Sequence, residues 1–167
     1  LDDLIIQPGL RFDYFTVNKK WQLSPRFNSA YKLDVITTLK SAWGYYYQTY
    51  DYDALFERNY FIDLSDKKTL DLKPEKAVHY ILGIERWLDD RWLGKIEGYY
   101  KDLDDLIAPK LVRTKRIDSI TGFATFDTSS TPANEGNGYA TGIEFLLEKK
   151  HIGPEDNLSG WISYSYA

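Results

Sequence analysis

Apolar and polar residues alternate with a period of two along most of this chain. In GLRFDYF, residues 9–15, Leu10, Phe12 and Tyr14 fall on one side and Arg11 and Asp13 on the other. PRFNSAYKL, residues 25–33, sets Phe27, Ser29, Tyr31 and Leu33 against Arg26, Asn28, Ala30 and Lys32. GYATGIEFLLEKK, residues 138–150, sets Tyr139, Thr141, Ile143, Phe145 and Leu147 against Ala140, Gly142, Glu144, Leu146 and Glu148. LSGWISYSY, residues 158–166, opposes Leu158, Gly160, Ile162, Tyr164 and Tyr166 to Ser159, Trp161, Ser163 and Ser165. TTLKSAWGYYYQ, residues 37–48, is rich in Thr and Tyr and carries Gly44, a poor helix and a good pleated surface. Side chains of a strand alternate between faces, so this pattern predicts strands.

Residues 76–103 are more ambiguous. Ala77, Ile81, Ile84, Leu88, Trp92, Ile96, Tyr99 and Leu103 form a helical stripe, and KPEKA resembles a helix start. Against a helix stand Gly83, Gly94 and Gly98, each costing roughly 1 kcal/mol in a helix interior. As a hairpin, Val78, Tyr80, Leu82 and Ile84 oppose His79, Gly83 and Glu85, with WLDDRW as the turn. The strand-like neighbours favour the hairpin.

The connections sort by length. Turns at 34–36 and 89–91 are short, 151–157 is modest and 17–24 intermediate, whereas 49–75 and 107–137 read as long loops. Short and long links alternate along about seven strands. The expected fold is all-β: part of an antiparallel up-and-down transmembrane barrel, with short periplasmic turns and long extracellular loops. One face would meet lipid through Leu10, Phe12, Phe27, Tyr31, Leu39, Trp43, Tyr45, Tyr47, Leu82, Ile84, Ile96, Tyr100, Ile143, Phe145, Ile162 and Tyr164. The lumen face would carry Arg11, Asp13, Arg26, Lys32, Lys40, Gln48, Glu85, Lys95, Glu97, Lys101, Glu144 and Glu148. Trp92 suits an interfacial aromatic girdle; Trp87 shares the parity of Glu85 and fits it less well. A soluble antiparallel sheet shows the same alternation, so periodicity leaves a soluble carbohydrate-binding module open.

Composition narrows the classes. A formal net charge of −4 gives no basic field for nucleic acid. No run approaches the roughly 18 apolar residues of a spanning helix, although spanning strands are shorter. There is no Cys for disulfides or thiolate metal sites, and no Met. The opening LDDLIIQPGL has no charged-then-apolar leader, so an excised or processed chain is expected. His79 and His151 lie far apart, which disfavours a zinc site. GNGYATG is not a dinucleotide fingerprint, no G-x-S-x-G elbow appears, and no nucleophile–base set points to an enzyme. No cofactor is implied. KDLDDL reads as a solvated acidic run, and NLS at 157–159 as a chance sequon. WGYYYQTYDYD leads from a strand end into a long loop, where aromatic rings stack on a ligand or anchor the girdle.

PGLRFDYF, LSPRFNSAYKL, TTLKSAWGYYYQ, LKPEKAVHYILGIERWL, GKIEGYYKDLDDL, NGYATGIEFLLEKK and LSGWISYSYA follow one another in that order. The series resembles the C-terminal half of the barrel of TonB-dependent outer-membrane receptors, over nearly the whole chain. The resemblance implies residues 1–167 form part of such a barrel, which closes with about 22 strands. The plug domain, which engages the TonB energy-transducing complex, and the final strands are not in the sequence given. It further implies location in the bacterial outer membrane, contact with its lipid, and import of a small-molecule or glycan ligand: an iron chelate, cobalamin or a glycan. On that reading Tyr46, Tyr50 and Tyr52 are candidates for ligand capture. Arg26, Lys40, Glu85, Glu97 and Glu144 are candidates for lining the lumen, with salt bridging between strands as the competing role.

Overall fold

Residues 3–16, 19–49, 72–120, 122–151, 153 and 158–167 are described by the structure, a computed structural model. Its elements are β1 (Leu4–Phe15), β2 (Lys20–Lys32), β3 (Thr37–Gln48), β4 (Glu75–Trp87), β5 (Trp92–Ile117), β6 (Ala124–Lys149) and β7 (Gly160–Tyr166). They form one seven-stranded sheet in chain order, each strand antiparallel to the next. Residues 76–103 are therefore two strands around a bend at 88–91, and the helical stripe is not realised.

The register confirms the two faces. One row across the sheet is Gly9, Arg26, Gly44, His79, Lys101 and Ala140. Two residues further along the strands, the row Asn28, Ala42, Ile81, Tyr99 and Gly142 is followed by Ala30, Lys40, Gly83, Glu97, Glu144 and Ser165. The opposite face carries Tyr31, Leu39, Ile84, Ile96, Phe145 and Tyr164 in one row. Among the described residues no layer packs on that apolar face: Leu10 is 59% exposed, Leu82 58% and Ile162 73%. A water-soluble sheet buries one face against another layer, so this exposure argues for a different apolar solvent. Ser29 and Ser41, two polar residues within the apolar field, satisfy each other through a 2.8 Å hydrogen bond.

Both tight turns on one rim use the same device. The Asp34 carboxylate accepts the Ile36 N–H at 2.8 Å, and the Asp89 carboxylate accepts those of Arg91 and Trp92 at 2.7 and 2.8 Å. These backbone donors hold both carboxyls below the usual range. Trp87 lies on the polar face as its parity predicts, with Lys150 Nζ 4.6 Å from its ring centroid.

Two expected connections differ. The 17–24 link is shorter, because β2 begins at Lys20. The 107–137 segment is not a loop: β5 and β6 each run 26 residues and pair out to Ile117 and Ala124. A spanning strand needs about 9–11 residues, so the distal half of this hairpin projects beyond the other strands. The register breaks between Leu103 and Ile107, where Asp105 takes φ 55°. There Asn134 accepts the Lys73 N–H at 2.7 Å and donates to the carbonyls of Lys73 and Asp105 at 2.9 and 2.6 Å. The Glu75 carboxylate caps the Ile107 N–H at 2.9 Å. Leu72 and Ile107, two of the few buried apolar side chains among the described residues, lie at this junction.

Candidate functional site

The polar face carries its chemistry in two tiers. Near the rim that bears the long connection and the projecting hairpin, Arg26 lies in register between Gly9 and Gly44. A Cβ on Gly44 would meet Arg26 Cγ at 3.0 Å, so the glycine provides the space in which the arginine stem lies. The guanidinium carbon sits 4.5 Å from the Tyr46 ring centroid, and Tyr46 stacks on His79 at 4.2 Å. Arg26 Nε is buried without a hydrogen-bond partner among the described residues. Lys101 is the cross-strand partner of His79 and places its Nζ 4.9 Å from the Tyr99 ring. Two cations, Arg26 and Lys101, thus frame the His79 imidazole and two tyrosines in one ladder across β2 to β5.

The second tier, toward the tight turns, is ionic. Lys40 Nζ meets Glu85 Oε2 at 2.7 Å across β3 and β4, and Lys95 Nζ meets Glu97 Oε2 at 2.6 Å within β5. Glu144 is the register partner of Glu97, placing two carboxylates directly opposite. Lys40 and Glu97 also border a groove of about 310 Å³ floored by Ala30, Ala42, Ile81 and Gly83.

The structure therefore joins Arg26 to Tyr46, Lys40 to Glu85, and Glu97 to Glu144. It does not join the two tiers through any hydrogen bond or ion pair among the described residues. Tyr50 and Tyr52 lie outside the described residues. Sequence reasoning missed His79 and Lys101 as partners of the upper tier. The signal was there: both share the parity of Arg26, in a row where Gly9, Gly44 and Ala140 leave room for long side chains. Among the described residues no three His, Asp or Glu side chains gather as a metal-ligand set.

A family model described as TonB dependent receptor-like, beta-barrel matches residues 1–167. No curated protein sequence matches. Among solved structures, the siderophore receptor PirA from Acinetobacter baumannii superposes with TM-score 0.64 and 20% identity over 89% of this chain. The outer membrane transporter YddB from Escherichia coli gives 0.69 and 18% over 98%. A ferric enterobactin receptor from Pseudomonas aeruginosa gives 0.68 and 18% over 89%. The chain spans 24%, 22% and 22% of those three chains, respectively. At these identities the likeness shows the fold alone, an antiparallel portion of a β-barrel wall. The match of the family model over residues 1–167, joined to this register and this fold, makes the chain a member of the TonB-dependent receptor β-barrel family.

Proposed function

We propose that this chain is a wall segment of an energy-dependent outer-membrane importer whose ligand is an iron chelate, captured at the Arg26–Tyr46–His79 stack. That stack is the observation that carries the reading. A cation held over an aromatic ring, beside a second ring and a further cation, presents donors and π-faces together. Such a surface suits a ligand that is both anionic and partly aromatic. Proteins similar in fold include a siderophore receptor and an iron transporter from Neisseria meningitidis, which favours iron chelates over cobalamin or glycans. The lower-tier charges serve first as cross-strand bridges, since Lys40 and Lys95 are each engaged by a carboxylate.

The apolar face meets lipid in this reading. On β4 the outward row starts at Lys76, passes Val78, Tyr80, Leu82 and Ile84, and ends at Arg86. Ten residues at about 3.3 Å, tilted about 40°, rise about 25 Å, the height of an outer-membrane apolar band. The energy source would be the TonB complex, acting through a plug domain. The test is uptake of radiolabelled iron chelates by cells expressing the intact receptor, with and without the inner-membrane proton gradient. Gradient-dependent uptake that falls with Tyr46→Ala supports the proposal; uptake indifferent to both overturns it.

A further inference from the structure

The apolar face is not uniformly filled. Where β4, β5, β6 and β7 run side by side near the tight-turn rim, a groove of about 520 Å³ opens between Ile84, Ile96, Phe145, Leu147 and Ile162. Its floor is Gly94, which sits in the row Thr37, Arg86, Gly94, Leu147 and Ile162, so the missing side chain makes the notch. Arg86 flanks that notch in the same row, on β4, its side chain 52% exposed. Its guanidinium donates to Thr37 Oγ1 at 2.7 Å and lies 3.7 Å from Asp34 Oδ2. Those two contacts leave donors of the five-donor fork free to bind outward. Trp92 is one step nearer the rim on the same face and marks the interface height.

We propose that this groove is a binding site for a glycerophospholipid of the periplasmic leaflet, with one acyl chain on Gly94 and the phosphate on Arg86. The inference rests on the apolar face meeting lipid. An apolar groove of this lining, with a guanidinium beside Gly94 in its rim-most row, matches an acyl chain joined to a phosphate in polarity. Arginine binds phosphate through two parallel hydrogen bonds, and the low-dielectric surroundings strengthen the contact. A bulk lipid would slide past a flat, filled surface; the notch beside a fixed cation gives it a preferred place. The groove is unrelated to ligand capture, which uses the opposite face near the other rim.

The test uses the intact receptor, purified in mild detergent, with phosphatidylglycerol as the probe. A Cβ at Gly94 would meet nothing closer than 3.8 Å, so Gly94→Phe can fill the groove from the outer face without displacing backbone. Heat-modifiable gel mobility first establishes that each variant is a folded barrel, and chelate uptake separately reports the transport reading. Native mass spectrometry should then show retained phosphatidylglycerol on the parent. Gly94→Phe should abolish it, and Arg86→Gln should reduce it about tenfold at limiting lipid, the loss of one charge-assisted contact. Diacylglycerol, which has the chains without the phosphate, should be retained poorly by all three. Equal retention of phosphatidylglycerol by parent and both folded variants, or of diacylglycerol and phosphatidylglycerol alike, would overturn the proposal.

Discussion

Arg26 sits in register between Gly9 and Gly44, and the two glycines do different things. A Cβ at Gly9 would touch Arg26 Cβ at 3.7 Å, an ordinary contact. A Cβ at Gly44 would press on Arg26 Cγ at 3.0 Å and on the Pro25 carbonyl at 3.3 Å, so the arginine stem would have to move. Gly44→Val should therefore lift the guanidinium off Tyr46 and cost about 1–3 kcal/mol of overpacking. Gly9→Ala should leave both stability and capture near the parent. Urea unfolding in lipid vesicles reads the first quantity, and chelate binding to whole cells reads the second. Arg26 and Tyr46 were legible as candidates because each follows from parity and strand position. Their stacking with His79 was not, since an alternating pattern gives the face of a residue but not its height against the neighbouring strand. Register supplies that height, and it depends on turn lengths that single residues do not reveal.

At the scale of elements, the tight turns and the projecting hairpin make separate predictions. Asp89 accepts two backbone N–H groups only as an acceptor, and its carboxyl is held below its ordinary range by those bonds. A lowered folded-state pKa means that the turn's contribution is fully present above the unfolded carboxyl pKa. It is lost as pH falls through the folded value. Asp89→Asn keeps an acceptor oxygen but does not titrate, so its unfolding midpoint should change less between neutral and acid pH than that of the parent. Asp89→Ala should be destabilised already at neutral pH. The hairpin formed by the distal parts of β5 and β6 is pinned at its base by Asn134, through three hydrogen bonds to the backbone of Lys73 and Asp105. Asn134→Ala should cost about 0.5–1.5 kcal/mol locally by removing these hydrogen bonds, two of which are open to water. Hydrogen exchange should quicken at 72–75 and 104–110, with β2 and β3 unchanged. The short turns were legible from Asp–x–Ile and Asp–Asp–Arg between apolar runs. The distal hairpin was not, and the reason is physical. Where a strand pair leaves the membrane both faces meet water, so FATFDTSSTPANEGN has no apolar side to alternate. Pro109 and Pro132 directly opposite each other further disguised it as a loop.

For the molecule as a whole, on the proposed reading, the two faces of one thin sheet answer to different solvents. Parity carried the division into an apolar and a polar face: Tyr31, Leu39, Ile84, Ile96, Phe145 and Tyr164 fall in one row, and Lys40, Glu97 and Glu144 in a row of the opposite face. Neighbouring residues on β4 make the cleanest test of it. Ile81 and Leu82 occupy adjacent rows midway between Lys76 and Arg86, at nearly the same depth but on opposite faces. Ile81 borders the polar-face groove with Ala42 and Gly83, whereas Leu82 stands 58% exposed on the apolar face. A lysine at Leu82 would place an ammonium near the centre of the hydrocarbon, at a cost of about 2–4 kcal/mol. A lysine at Ile81 faces the lumen in this reading, with Glu97 one polar-face row away and Glu85 two, and should cost less than about 1 kcal/mol. Reversible urea unfolding of the intact barrel in phospholipid vesicles, comparing Leu82→Lys with Ile81→Lys, measures the difference directly. Two substitutions one residue apart, identical in chemistry and depth, should differ by about 1–4 kcal/mol. Equal costs would mean that the apolar face is not the lipid face, and would remove the basis for the phospholipid groove at Gly94 while leaving the strand register intact.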